Sequence, residues 1–341
     1  MSENFEIQDG KIIKCLSQYA DIVLPKDISD VDADAFSGVK IKSLTIPQEL
    51  ILRQSKKSGA FRITFYDLDC ETLIFKGKIE NLEGVCFLGA KIGKVILPTK
   101  LKRMGPCLFT NGGVKIGEMI IPEWVEEIDR SFFGVTFGKI VFPKSLKKIS
   151  VGTFEDCIFT DLVLDTSLKM IEECLFMECT ARSIILSGNI ETIGKCAFLQ
   201  CKCERLQLPE HLKTIRRGAF TEAKVKEIIL PDTVVRIEKQ AFIDCEAEKI
   251  VLSPNVKKIE LDTFAGCLNL RELVLPEKLE SFNMSAISDC PKLKNLTLPS
   301  TLKEILCFGV DYDSDVEEVV NFSSLEISKK IFPKLKTVIN R

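Results

Sequence analysis

An apolar-x-apolar-Pro pattern returns along this chain at nearly constant intervals, and that periodicity restricts the possible folds more than any other feature. It occurs at Val23-Leu24-Pro25, Leu44-Thr45-Ile46-Pro47, Val95-Ile96-Leu97-Pro98, Ile120-Ile121-Pro122 and Val141-Phe142-Pro143, then at Pro209, Pro231, Pro276 and Pro299. Asp165, Ser187 and Ser253 hold the proline slot where proline is missing. From position 143 to 253 the interval is 22 residues each time, and it then lengthens to 23 twice. Such a period is the mark of a solenoid, in which one short unit stacks on copies of itself.

Columns emerge when residues are counted from the slot. Three before it stand Val95, Met119, Ile140, Leu162, Ile184, Leu206, Ile228 and Ile250; one before it, Leu97, Ile121, Phe142, Leu164, Leu186, Leu208, Leu230 and Leu252. Three after it come Leu101, Val125, Leu146, Leu168, Ile190, Leu212 and Val234; six after it, Met104, Ile128, Ile149, Ile171, Ile193, Ile215 and Ile237. Eleven after it lies an aromatic column of Phe36, Phe87, Phe109, Phe133, Phe154, Phe176, Phe198, Phe220, Phe242 and Phe264, continued by Ile287 and Val310. The apolar-x-apolar step has the two-residue period of a strand. Proline cannot donate a ladder hydrogen bond, so it ends that strand and begins a turn. No isolated 22-residue piece can bury five or six large apolar side chains, whereas stacked coils bury them in one continuous ribbon.

Charge supports the same register. Four residues before the slot stand Lys94, Glu118, Lys139, Asp161, Ser183, Arg205, Glu227, Lys249 and Glu272, and the sign alternates almost throughout. The next outward column alternates in part, through Arg182, Glu204, Lys226 and Glu248. In-register parallel strands bring equivalent residues together, where opposite charges attract.

These segments resemble a known family. Ile193-Gly194-Lys195-Cys196-Ala197-Phe198-Leu199-Gln200-Cys201 and Ile237-Glu238-Lys239-Gln240-Ala241-Phe242-Ile243-Asp244-Cys245, set between L-x-L-P strands, look like the BspA-like leucine-rich repeats. The resemblance covers roughly residues 21 to 339. The other 22-residue leucine-rich class, found in phosphatase-regulating proteins, expects asparagine where proline stands here. The resemblance implies a leucine-rich-repeat solenoid of about fourteen coils, with a parallel β-sheet on one face and turns and short irregular or 3-10 segments on the other. Bacterial members of the class are surface proteins, which implies a cell-surface adhesin or receptor-type recognition module as an alternative function.

Residues 1–20 are expected to cap the open end of the ribbon, and 21–341 to form the array, with degenerate C-terminal coils. The unit at 48–75 is irregular: its next slot is Lys76, Ala60-Phe61 is displaced by three, and about seven extra residues are expected to bulge as a loop. Two more are added around Asn111-Gly112-Gly113, and Asp311-Tyr312-Asp313-Ser314-Asp315 replaces a linker. A final coil is expected to end at Ile331-Phe332, with a partial strand through Val338-Ile339.

With 47 basic against 49 acidic residues, the chain offers no electrostatic case for nucleic acid. No apolar stretch approaches the ~20 residues that span a bilayer. The start, MSENFEIQDGKIIKC, lacks the pattern of a secretory signal. A cytoplasmic protein with its 14 cysteines reduced is the expectation, with the cell surface as the alternative if a signal is missing.

Six cysteines, Cys157, Cys179, Cys201, Cys245, Cys267 and Cys290, lie fourteen residues after the slot and read as a ladder of buried thiols. Cys174, Cys179, Cys196, Cys201 and Cys203 follow the repeat period rather than paired C-x-x-C knuckles, so no metal is expected. His211, the only histidine, falls in a turn without an orienting partner, and the acid pairs Glu126-Glu127 and Glu317-Glu318 read as solvated faces. No cofactor motif is present, and a non-catalytic chain is expected.

The position two before the slot should face away from the core. It reads Ile96, Ile120, Val141, Val163, Ile185, Gln207, Ile229, Val251 and Val274, followed by Thr297. β-branched residues suit a pleated strand with or without a ligand. A contiguous exposed apolar stripe also marks a contact site. The nine residues from Ile96 to Val274 are therefore the candidate contacts with a protein partner, bound through the exposed sheet face.

Overall fold

The computed structural model describes residues 4–54, 63–110, 113–307 and 313–341. The chain is a parallel-sheet solenoid of about 14 turns of ~22 residues with almost no helix. It divides into two compact units, Met1–Ser167 and Leu168–Arg341.

In the first unit, the slot-preceding strands Asp21–Val23, Lys40–Pro47, Asp69–Lys76, Lys91–Ile96, Lys115–Ile120, Thr136–Val141 and Ile158–Thr166 lie side by side. Their register keeps columns together: Val95 beside Met119, Glu118 beside Lys139, Ile120 beside Val141. A second side carries two-residue strands at Asn81–Leu82, Arg103–Met104, Glu127–Ile128 and Lys148–Ile149. A third carries Ile63–Tyr66, Val85–Leu88, Phe109–Thr110 and Phe132–Phe133. An antiparallel hairpin, Phe5–Gln8 with Lys11–Cys15, precedes these coils, and its second strand pairs parallel with Asp30–Val31.

The second unit repeats the plan with its strands in shorter ladders: Thr180–Gly188 with Lys202–Gln207, then Glu227–Ile229, Lys249–Val251 and Glu272–Val274, then Asn295–Leu298, Glu318–Asn321 and Thr337–Asn340. The last of these contains the expected Val338-Ile339. Its third side bonds from coil to coil without strands: Phe198 N–H donates to Ala219 O and Phe220 N–H to Ala241 O, both at 2.8 Å.

The turn after each strand explains the slot. Proline needs no donor there, while its carbonyl accepts the N–H three residues on: Leu101 to Pro98 at 3.1 Å, Val125 to Pro122 at 3.0 Å, Leu212 to Pro209 at 3.1 Å. Where Ser253 replaces proline, its hydroxyl donates to Val234 O at 2.7 Å. In most described coils two further positions take left-handed backbone, as at Cys174 (φ 55°) and Glu178 (φ 58°), or Cys196 (φ 53°) and Gln200 (φ 55°). They bracket the buried phenylalanine and reverse the chain around it.

The phenylalanines form a stack in each unit. Centroid spacings are 5.0 Å for Phe65–Phe87, 5.2 Å for Phe87–Phe109 and 5.5 Å for Phe132–Phe154. In the second unit they are 5.4 Å for Phe176–Phe198, and 5.2 Å for both Phe198–Phe220 and Phe220–Phe242. Such offset stacks add to area burial, which is worth about 1.5–3 kcal/mol per ring.

Two column assignments need correction. Phe132, not Phe133, fills the aromatic column: it is fully buried and stands in register with Phe109, while Phe133 is half-exposed. The coil between Pro122 and Pro143 is one residue short, and the deletion falls between Ile128 and the ring. In the irregular coil Phe65 joins the stack between Phe36 and Phe87. Ala60-Phe61 lies outside the described residues, as do Asn111, Gly112, Val310, Asp311 and Tyr312.

The extra residues after Pro47 begin not with a loop but with an α-helix, Gln48–Gln54, which buries Leu50 and Ile51. The following coil makes room with glycine: a Cβ on Gly84 (φ 82°) would fall 2.5 Å from Gln54 Cβ. A short 3-10 helix, Met284–Ile287, is capped by the Asn283 side chain, which accepts from Ser285 N–H. It delivers Ile287 to the phenylalanine column.

Candidate interaction surface

Strand alternation places the two-before-slot residues outward. In the first unit Ile96, Ile120, Val141 and Val163 are exposed, with Ile120 directly beside Val141. In the second, Ile229 and Val274 are exposed and Gln207 projects to solvent, while Ile185 and Val251 are half-buried. Ile185 pairs with Gln207, and Ile229, Val251 and Val274 stand in one row. Exposure of the exposed apolar members from Ile96 onward runs from 39% at Val141 and Val274 to 57% at Ile229. The row also begins earlier than the candidates from Ile96 onward: Val23, Thr45 and Ile74 occupy the same position in register, and Val23 is exposed.

The charged column four before the slot shares this outward face. Glu118 lies 3.0 Å from Lys94 and 3.6 Å from Lys139; Lys249 lies 3.8 Å from Glu227 and 3.3 Å from Glu272. Hydrogen bonding to Lys94 holds the Glu118 carboxyl below its ordinary range.

A second ladder, four residues after the slot, is absent from the sequence reading although the same spacing displays it. Lys102 meets Glu80 at 2.9 Å and Lys147 meets Glu126 at 3.0 Å. In the second unit Glu280 sits between Lys257 at 2.9 Å and Lys303 at 2.6 Å. Hydrogen bonds from Lys303 and then Lys257 lower its carboxyl from 4.5 to about 2. The acid pairs read as solvated faces prove to be ladder members: Glu127 pairs with Lys148 at 2.8 Å, and Glu317 with Lys294 at 3.3 Å. These pairs are partly exposed, so each contributes little to stability.

A groove of about 1140 Å³ continues the outward face in the second unit, with Val274 and Thr297 among its lining residues and Phe322 beside them. Phe322 is exposed at the end of strand Glu318–Asn321. The single tryptophan, Trp124, is 61% exposed in the first unit's turns, with Lys100 Nζ 5.5 Å from its ring. Neither aromatic follows the repeat, so column counting passes over both.

The thiol ladder is buried: Cys157, Cys179, Cys201, Cys245, Cys267 and Cys290 are inaccessible to solvent. Cys267 Sγ donates to Phe242 O at 3.1 Å and Cys290 Sγ to Phe264 O at 3.3 Å. Burial pushes the Cys157 and Cys245 thiols up to about 12. Among the described residues no group of three or more His, Cys, Asp or Glu is arranged to hold a metal ion. His211 is exposed in its turn. No helix among the described residues is long and apolar enough to cross a membrane.

A parallel-stranded coil repeated every ~22 residues, with stacked leucine, isoleucine and phenylalanine inside, defines a leucine-rich-repeat protein. The family model described as BspA type leucine-rich repeat region (6 copies) matches residues 6–136, 129–245 and 191–309, and the chain belongs to that family. No protein of curated function matches it. Among solved structures, it is similar to a leucine-rich repeat protein from Bacteroides ovatus at 18% identity, over 98% of this chain and 85% of that one, TM-score 0.41. The pneumococcal vaccine antigen PcpA is 14% identical over 100% and 98% of the two chains, TM-score 0.39. A leucine-rich cell surface protein from Faecalibacterium prausnitzii is 15% identical over 100% and 94%, TM-score 0.33.

Proposed function

We propose that this chain is a non-catalytic protein-interaction module that binds a protein partner through the outward strand positions. The observation that carries the reading is the aliphatic row, 57% exposed at Ile229 and bordered by an alternating ladder on the same face. Contiguous apolar surface in water marks a contact site. The complementary partner presents an apolar ridge flanked by charges of both signs, which orient it more than they hold it. The groove beside Phe322 gives one anchoring side chain a place to enter. Residues 1–20 act as the cap of the array that runs from 21 to 341, with the antiparallel hairpin as its substance.

Proximity labelling in the native cell names the partner, and the purified pair is then measured directly. Replacing Ile185, Ile229 and Val251 together with glutamate abolishes capture while the circular dichroism spectrum is unchanged. Retained binding by the triple variant refutes the assignment. We place the protein in the cytoplasm, a reading supported by thiols recurring from coil to coil in the buried core, where they pack as small apolar side chains. Antibody staining of intact cells, if equal to that of permeabilised cells, would overturn that location in favour of a cell-surface recognition module.

A further inference from the structure

Many charged neighbours on adjacent coils carry opposite signs, but one side of the second unit gathers charges of one sign. Eight residues after the slot, successive coils carry Glu173, Lys195, Arg217 and Lys239, three cations in a row. The first unit shows the ordinary case on the corresponding side: Arg103 faces Glu83 at 3.5 Å, Glu127 at 3.6 Å and Asp129 at 2.7 Å. In the second unit, Thr192, Thr214 and Arg236 stand in register on adjacent short strands. Like charges stacked one coil apart repel. Like-charged neighbours occur elsewhere too, as Lys91 beside Lys115, but here they border one groove.

Two of these cations, Lys195 and Arg217, border a groove of about 410 Å³, a size within the range of small-ligand sites. Lys195, Arg216, Arg217 and Arg236 line it against two carboxylates, leaving an excess of two positive charges. Both carboxylates are already engaged. Glu173 meets Lys195 at 3.1 Å. Glu238 meets Arg236 at 3.3 Å and accepts the Arg217 backbone N–H at 3.0 Å. The Arg217 guanidinium donates to the neutral Gln240 side chain at 2.9 Å. Among the described residues no carboxylate lies within ion-pair distance of Arg216. Gly194 occupies the same column one coil earlier and adds no side chain beside it; a Cβ there would fall 2.5 Å from Ile171 O.

We propose that this groove binds a phosphoryl group. Arg216 and Arg236 supply forked N–H donors that match a tetrahedral oxyanion, and Lys195 and Arg217 supply flanking charge. A bound dianion converts the mutual repulsion of the cations into shared attraction. Thr192 and Thr214, at the same groove, add hydroxyls that can donate to further oxygens. Free phosphate and a phosphate ester share this chemistry, and two probes separate them.

Isothermal titration of the full chain with inorganic pyrophosphate and with O-phosphoserine, at about 20 mM and about 200 mM NaCl, is the test. At least one probe binds with 1:1 stoichiometry, and more weakly at the higher salt. Arg216→Ala with Arg236→Ala weakens it by about tenfold or more. Arg216→Lys, which keeps charge but loses the fork, falls between the two. Lys102→Ala, from the first unit's ladder, leaves binding unchanged. Tighter binding of pyrophosphate assigns the site to free phosphates, and tighter binding of phosphoserine assigns it to esters. No heat with either probe, or equal affinity in the double alanine variant, overturns the proposal. Neither arginine belongs to the aliphatic row, so this result is independent of the protein-binding test.

Discussion

Phe220→Ala tests whether the stacked rings are the main source of cohesion in the second unit. Phe220 has no exposed surface and lies 5.2 Å from both Phe198 and Phe242, with ring planes within 3° of parallel. Truncating a buried phenylalanine costs about 3–5 kcal/mol, the lower values arising where neighbours collapse into the space. Collapse is opposed here. Phe198 also packs on Phe176 and Phe242 on Phe264, and backbone bonds of 2.8 Å pin Phe198 and Phe220 to the coils that follow. The expectation therefore lies at the upper end, about 4–5 kcal/mol, with the two lost stacks of about 0.5–1.5 kcal/mol each part of that figure. Domains are stable by only about 5–15 kcal/mol, so such a loss is readily measured. Urea titration followed by far-ultraviolet circular dichroism gives its size. Amide hydrogen exchange gives its location: protection at Phe198, Phe220 and Phe242 falls while that at Phe109 persists, because each coil contacts its neighbours. Ile229→Ala, on the exposed row, costs less than about 1 kcal/mol. A loss below about 1.5 kcal/mol for Phe220→Ala, or one no larger than for Ile229→Ala, refutes the reasoning.

Glu178 holds left-handed backbone (φ 58°) with an exposed side chain, and Glu178→Gly removes that strain at a position glycine occupies elsewhere, as at Gly266 (φ 74°). It raises stability by about 0.5–1 kcal/mol, seen as a higher urea midpoint; a lowered midpoint contradicts the turn's role. The Glu280 carboxyl titrates near 2 instead of 4.5, because its anion is held by Lys303 and Lys257. Its folded-state pKa is depressed, so its contribution is present above pH 4.5 and fades as pH falls towards 2. Glu280→Gln flattens the acid limb of the stability curve over that window, and a carboxyl carbon shift titrating at 4.5 in the folded protein rules the mechanism out.

The apolar columns were legible because burial leaves a periodic trace: Ile193, Ile215 and Ile237 recur at one offset and meet in one ladder. The trace fails where coil length changes. Counting from Pro122 lands on Phe133, and only the register with Phe109 identifies Phe132. Helix Gln48–Gln54 was hidden because a seven-residue insertion is too short to show a period of its own. The outward row was legible from alternation, but alternation gives direction and not access, so Ile185 and Val251 come out half-buried. The left-handed positions escaped because the chain places glutamate, glutamine and cysteine where glycine would have announced the turn. Phe322 escaped because it belongs to a single place in the array, and the Arg216 groove because its four cations come from three different offsets.

Alternation along the ladders also gives the array a parity. Excising the coil that carries Glu118 and Glu126 would set Lys94 against Lys139 and Lys102 against Lys147, so two attractive rows turn repulsive together. Excising it with the coil before it instead brings Glu80 against Lys147, an opposite pair. A gain or loss of coils in such a stretch is electrostatically neutral in twos and penalised in ones.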